Sequence, residues 1–296
     1  MNTNVIHTGD CLEELRQLPD GCVHSVMTSP PYWNLRDYGH DDQLGLEETP
    51  EAYVSNLAGV FDEVQRVLRE DGSLWLNLGD TYEDKDLQQI PARVALELQD
   101  RGWMLRNRVT WAKPDPMPQS VKDRLNDTTE AVFHFVKEKD YYYDLDAIRV
   151  EYKHREAFED AKEIGGEGQQ IAPKDNHNQF YSRQDIAETF HDKGKNPGDL
   201  FEETTAKCSE AHFAVYPLNL CEKPIKATCP EDGVVLDPFA GAGTTLLKAK
   251  ELGRDYIGIE LNPEYADMAR GRVGLTPNDP SNIRDDENQS GLEAYE

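Results

Sequence analysis

Val234-Val235-Leu236-Asp237-Pro238-Phe239-Ala240-Gly241-Ala242-Gly243-Thr244 decides the fold of this chain. The first four residues read as a fully buried strand, and the chain from Thr244 onward reads as a helix. Between them, Phe239 to Gly243 supplies the tight turn and close backbone approach that a nucleotide-type cofactor needs. A helix at about 243–252 and a strand at 255–259 follow, and Glu260 ends that strand, 23 residues after Asp237. An acid at this spacing is where Rossmann-like sites hold ribose hydroxyls. A lone G-x-G is often only a structural turn; strand, turn, helix, strand and terminal acid in register point to a site.

The turn also narrows the cofactor. An NAD site wants a third glycine for helix packing and a pyrophosphate on the helix N-terminus, whereas this helix starts with Thr244-Thr245. No Gly-Lys-Ser/Thr follows, so it is not a Walker A loop. S-adenosyl-L-methionine carries no phosphate and needs only a glycine turn and a carboxylate for its ribose.

A second signature stands near the other end. Val23 to Thr28 reads as a buried strand that runs directly into Ser29-Pro30-Pro31-Tyr32. Such a loop projects at the carboxyl edge of a sheet, where open α/β folds place ligands. Two prolines fix the backbone and remove two N–H donors. The Ser29 hydroxyl and the Pro30 carbonyl then face the pocket as acceptors, and Tyr32 offers a flat face. This set suits an exocyclic amino group on a planar ring. Alone, the motif would read as a proline-stiffened strand exit; beside the cofactor loop, it reads as a substrate grip.

Working outward, Val5 to His7 reads as a strand, and an amphipathic stretch with Leu12, Leu15 and Leu18 follows Gly9-Asp10. Helical spacing covers about 51–69, with Val54, Leu57, Phe61, Val64 and Leu68 on one face. Further elements are a strand at Leu74 to Leu78, a helix at about 88–100, strands at 103–112 and 130–137, and helices near 215–228 and 263–273. The alternation predicts a layered α/β sheet. Between about 150 and 210 the pattern fades into polar sequence, either a surface insertion or a recognition region. Acids dominate 276–296, which reads as a disordered acidic tail.

The chain has 296 residues, enough for a large core. Its hydrophobic content is 38% and its formal charge −26, a pairing that can mark disorder. Recurrent apolar periodicity, with 13 Tyr, 9 Phe and 4 Trp, points instead to a folded, salt-adapted protein with an acidic solvated surface. An ordinary acidic protein is the alternative. Cys11, Cys22, Cys208, Cys221 and Cys229 form no C-x-x-C pair or zinc-ligand spacing, so we expect no disulfide, no metal and a reduced, cytoplasmic setting. The first residues lack a signal pattern, and no apolar run is long enough to span a bilayer.

The two signatures together resemble the N4-cytosine/N6-adenine DNA amino-methyltransferases, over roughly residues 3–273. Their order resembles the β class, with the catalytic loop first, a target-recognition region next and the cofactor loop last. The resemblance implies a Rossmann-like methyltransferase fold, a mixed seven-stranded sheet with helices on both faces. It divides the chain into a catalytic half (1–149), a target-recognition region (150–210), a cofactor half (211–275) and the acidic tail. It assigns Ser29, Pro30, Pro31 and Tyr32 to catalysis, and Asp10, Asp237, Phe239, Gly241, Gly243, Thr244 and Glu260 to S-adenosyl-L-methionine. Ala211 to Pro217, with Phe213, looks like the family's separate cofactor element. A serine before the two prolines is typical of N4-cytosine enzymes, whereas adenine enzymes usually carry Asp or Asn. Cytosine C5 chemistry uses a cysteine typically placed after proline, and none of the five cysteines here follows one.

The implied partner is double-stranded DNA, from which the target base is flipped out. A cognate restriction endonuclease is a further implied partner, the protein itself being a monomer or homodimer. A short palindrome such as CTAG is the expected kind of target. Because the whole chain is acidic, positive charge must be local. Residues 101–125 hold six basic and two acidic side chains, a net of +4. We therefore expect Arg106, Arg108, Lys113, Lys122 and Arg124 along phosphates, and Asn176 and Arg183 among the base or phosphate contacts. Competing readings are an N6-adenine enzyme, a methyltransferase of RNA or a small planar amine, and a non-catalytic DNA-binding relative.

Overall fold

The computed structural model describes residues 1–35, 37, 39, 43–116, 118–152, 170–174, 179–182, 191–205 and 216–275. Two compact units share them: Met1–Tyr143 with the chain from Asp199 onward, and Asp144–Gly198. The elements begin with β1 (Val5–Thr8), α1 (Cys11–Arg16), β2 (Val23–Thr28), α2 (Pro50–Val67) and β3 (Leu68–Leu78). A small ladder, β4 (Tyr82–Glu83) with β5 (Asp86–Leu87), precedes α3 (Ile90–Asp100), β6 (Met104–Ala112) and β7 (Thr129–Val136). Next come β8 (Gln170–Lys174), β9 (Gln179–Ser182), β10 (Leu200–Glu202) and α4 (Glu222–Thr228). The last are β11 (Val234–Asp237), α5 (Thr244–Glu251), β12 (Asp255–Glu260) and α6 (Pro263–Val273).

The first unit is built on one sheet in the order β1-β12-β11-β2-β3-β7-β6-β10. Strands β1, β12, β11, β2 and β3 run parallel, β7 is antiparallel to β3 and to β6, and β10 is parallel to β6. The expected mixed sheet is present, and the three-residue β10 adds an eighth strand at the edge. Strand residues alternate between two apolar layers because successive side chains point to opposite faces. Val26, Leu74, Leu76, Leu236 and Ile257 pack with α1, α2 and α3 on one face. Met27, Trp75, Val235 and Tyr256 pack with α4, α5 and α6 on the other.

Local chemistry sets the helix ends. Thr49 caps α2 by accepting from Ala52 N at 3.2 Å, and Pro50 fills the first turn. Asn262 and Pro263 do the same for α6. Helix α4 begins at Glu222 rather than 215, after a 3-10 turn at Leu218–Cys221. Pro224 explains this: without an N–H it is tolerated only in a first turn. Strand β3 begins at Leu68, where the sequence reading still had helix. Its pairing with β2 shifts between Val23 and Ser25, and Gly72 admits the irregularity. A Cβ there would meet Leu68 Cγ at 2.7 Å and the His24 carbonyl oxygen at 2.9 Å.

In the second unit, Val150 and Lys195 form an antiparallel bridge, and β8 pairs antiparallel with β9. The polar sequence from 150 to 210 therefore contains a ladder that its periodicity did not announce. Hydrogen bonds from Arg149 and then Lys193 hold the Asp146 carboxyl down at about 2. Among the described residues no helix is long and apolar enough to cross a membrane.

Candidate active site

Both signatures meet at the carboxyl edge of the sheet. Thr28, the last residue of β2, donates through Oγ1 to Asp237 Oδ1 at 2.7 Å, where β11 ends. One hydrogen bond thus ties the strand leading into Ser29 to the residue that opens the glycine turn. Phe239 N also donates to Asp237 Oδ1, at 3.1 Å, and Tyr216 Oη to Oδ2, at 3.1 Å. Burial pushes the Asp237 carboxyl up, and these donors oppose the shift. Thr245 Oγ1 contacts Tyr216 Oη and donates to the Met27 carbonyl at 3.0 Å. Asp237 is therefore the buried tie of the cofactor turn, organising it from beneath.

The turn itself has Gly241 and Gly243 at φ of +50° and +76°. A Cβ on Gly241 would meet nothing within 4 Å, so the turn faces open space. Glu260 closes β12 beside it, with Oε2 accepting from Gly241 N at 2.7 Å and Oε1 from Asn262 N at 2.9 Å. These backbone donors orient the carboxylate at the edge of the sheet. The open turn, the acid and the half-buried Phe239 suit S-adenosyl-L-methionine, which asks for a ribose acceptor and no phosphate donors. Asp10 reaches the same edge through β1, but its Oδ1 caps α1 by accepting from Leu12 N and Glu13 N. Thr244 is buried at the start of α5, with Arg272 Nη1 at 3.3 Å from its hydroxyl. Phe213 lies outside the described residues.

In the substrate loop, Tyr53 Oη donates to the Pro31 carbonyl at 2.8 Å, and Trp33 Nε1 donates to the Glu47 carbonyl at 2.9 Å. These bonds anchor the loop below Tyr32. The Tyr32 hydroxyl donates to Glu130 Oε2 at 2.7 Å and lies 3.1 Å from Ser29 Oγ. Asn77 Nδ2, from β3, reaches Tyr32 Oη and Glu130 Oε2 at 2.8 Å each and Ser29 Oγ at 3.3 Å. Burial first, and then the Glu130 charge, push the Tyr32 phenol well above its ordinary range, so it keeps its proton. The ring edge lies on Gly79, where a Cβ would come within 2.5 Å of Cε2. Tyr32 is thus fixed at its hydroxyl and along its ring.

Sequence reading missed Asn77, Gly79 and Glu130 beside the substrate loop. They come from β3, from the residue just after it and from β7, and only sheet pairing brings them to Ser29. In the basic segment, Lys113 ion-pairs with Glu130 inside this cluster. Arg124 pairs with Asp127 at 3.0 Å and covers the Tyr82 ring at 4.0 Å. Arg106 donates to Tyr141 Oη at 3.1 Å. Arg108 and Lys122 are exposed. Asn176 and Arg183 lie outside the described residues.

Burial lifts the Cys11 and Cys229 thiols to about 12, so neither is poised as a nucleophile. Among the described residues no group of three or more His, Cys, Asp or Glu is placed to hold a metal ion.

An α/β sheet with a glycine-turn site and an acceptor-lined loop at its carboxyl edge defines a nucleotide-cofactor enzyme class. The family described as DNA methylase, the N6/N4 methyltransferases, matches residues 23–271, and the chain belongs to it. It is 36% identical to the Type II methyltransferase M.Cfr9I of Citrobacter freundii, across 92% of this chain and 88% of that one. It is 33% identical to the Type II methyltransferase M.SfiI of Streptomyces fimbriatus, across 88% of each. The PvuII DNA methyltransferase (cytosine-N4-specific) shares the fold, with a TM-score of 0.67 at 23% identity over 95% of this chain and 90% of that one. A putative DNA modification methylase of Thermus thermophilus, solved with S-adenosyl-L-methionine, gives 0.58 at 26% identity, over 91% and 94%.

Proposed function

We propose that this DNA methyltransferase moves a methyl group from S-adenosyl-L-methionine to the exocyclic N4 amino group of a cytosine flipped out of duplex DNA. The observation that carries this reading is the Thr28–Asp237 hydrogen bond, which sets the amino-gripping loop beside the cofactor turn. Gly241, Gly243, Phe239 and Glu260 hold the cofactor, and Asp237 shapes the turn around it. Bound there, S-adenosyl-L-methionine supplies an electrophilic methyl group. Ser29 Oγ and the Pro30 carbonyl accept the two amino hydrogens of the target. The base stacks on Tyr32, whose ring is held for that purpose by Gly79. Alignment of this kind supplies much of the rate enhancement, without a strong base beforehand.

Ser29 favours cytosine over adenine, because a neutral hydroxyl stands where adenine enzymes usually carry Asp or Asn. The 150–210 region is the target reader, and Asn176 and Arg183 contact bases or phosphates within it. A restriction endonuclease with the same target sequence is the natural partner. Sequencing that detects modified bases, on DNA from cells with and without the protein, gives the base and its sequence context together. N4-methylcytosine in one short palindrome is the expected result; N6-methyladenine replaces the cytosine reading with the adenine one.

The charge of −26 supports origin in a salt-adapted organism or its virus. Phosphate contacts weaken steeply with salt, so such an enzyme leans on stacking and hydrogen bonds. Methyl transfer is expected to persist in molar KCl. Activity confined to low salt would contradict the salt-adapted origin.

A further inference from the structure

Glu130 joins three strands to the substrate loop, and no motif pointed to it. Its Oε1 pairs with Lys113 Nζ, and its Oε2 accepts from Tyr32 Oη and Asn77 Nδ2. An ion-paired carboxylate only accepts hydrogen bonds. The single Tyr32 hydroxyl hydrogen therefore points at Glu130, and Ser29 must be the donor in its 3.1 Å contact with Tyr32. Asn77 reinforces this direction, since Nδ2 has only hydrogens to give. Turning its amide over would set Oδ1 against the carboxylate, so the orientation is fixed. Asn77 is 1% exposed and its Oδ1 has no hydrogen-bond partner, a cost the cluster bears to keep Nδ2 in place. With its hydrogen turned inward, Ser29 presents only lone pairs to the pocket.

We propose that Glu130, pinned by Lys113, is the positioning residue that makes Ser29 an acceptor and ends a proton path Ser29–Tyr32–Glu130. The proposal rests on the amino-methylation reading above. Methylation leaves the amino nitrogen with one proton too many. That N–H bond breaks as Ser29 Oγ takes the proton, the Ser29 hydrogen passes to Tyr32 Oη, and the Tyr32 hydrogen passes to Glu130 Oε2. One proton moves, every oxygen on the path but the last ends as it began, and no oxidant or reductant is needed. The side chains of Lys113 and Glu130 are 18% and 14% exposed, which opens the end of the path to water.

The test is single-turnover methylation of duplex DNA by the full chain. Glu130→Gln keeps the shape of the side chain but can donate a hydrogen back to Tyr32, and we expect a loss of about 100-fold, the low end for proton-transfer assistance. Cofactor and DNA affinities should stay unchanged. Tyr32→Phe keeps the stacking face and should lose a similar factor. The double variant should lose no more than either single one, because both cut the same path. Lys113→Gln gives the same kinetic pattern in milder form if Glu130→Gln does not fold. Additive losses, weakened cofactor binding, or a fully active Glu130→Gln would overturn the proposal. Nucleoside analysis of the wild-type product separates the two readings. An adenine product overturns the cytosine assignment and leaves the proton path standing, because that amino group sheds the same proton.

Discussion

Tyr32→Ala is expected to lower single-turnover methyl transfer by about 1000-fold while leaving the fold and cofactor binding in place. Two losses combine. Stacking of a flipped base on an aromatic face is worth about 1–3 kcal/mol, and alanine removes it. The Tyr32 hydroxyl also fixes the Ser29 hydrogen and connects it to Glu130 and Asn77. Without it Ser29 turns freely, and misplacement by about 1 Å costs about 100-fold. Rapid-quench assays with labelled cofactor measure the rate, and calorimetry measures cofactor affinity. Retained methylation with lost DNA binding would instead mark Tyr32 as a DNA contact only.

The second large effect is expected at Gly243. Its φ of +76° lies in the left-handed region, which a β-branched side chain resists. A Cβ there would also stand 2.8 Å from Ala269 Cβ on α6. Backbone strain of about 1–3 kcal/mol adds to overpacking of about 1–3 kcal/mol. Gly243→Val should therefore destabilise the protein by about 2–6 kcal/mol and abolish cofactor binding. Denaturant melts with and without S-adenosyl-L-methionine check both parts. A variant that binds the cofactor at wild-type affinity would show that the turn does not need this glycine.

Much of this layout was legible in the chain because apolar periodicity is a local signal. Val234 to Asp237 is a continuous buried run and Val23 to Thr28 is buried at every position but His24, and each leads directly into its loop. Gly241, Gly243 and Glu260 follow at fixed offsets, so the glycine turn and the acid beside it were readable from one segment. The side chains packed around Ser29 and Tyr32 were not. Asn77, Lys113 and Glu130 are separated from Ser29 by 48 to 101 positions, and only the β3-β7-β6 pairing unites them. Nothing near Lys113 in sequence distinguishes a lysine for phosphate from one that neutralises a site carboxylate. The ladder β4–β5 was missed for a related reason. Asp84 and Lys85 turn at positive φ, where Asn-Gly would have announced a hairpin.

Nucleoside mass spectrometry on duplex DNA treated with purified protein and S-adenosyl-L-methionine is the most direct measure of the central claim. The geometry around Ser29, Tyr32 and the glycine turn predicts N4-methylcytosine as the modified nucleoside, absent when the cofactor is withheld. N6-methyladenine would contradict the cytosine assignment, and a product with no modified nucleoside would contradict methyl transfer to DNA altogether.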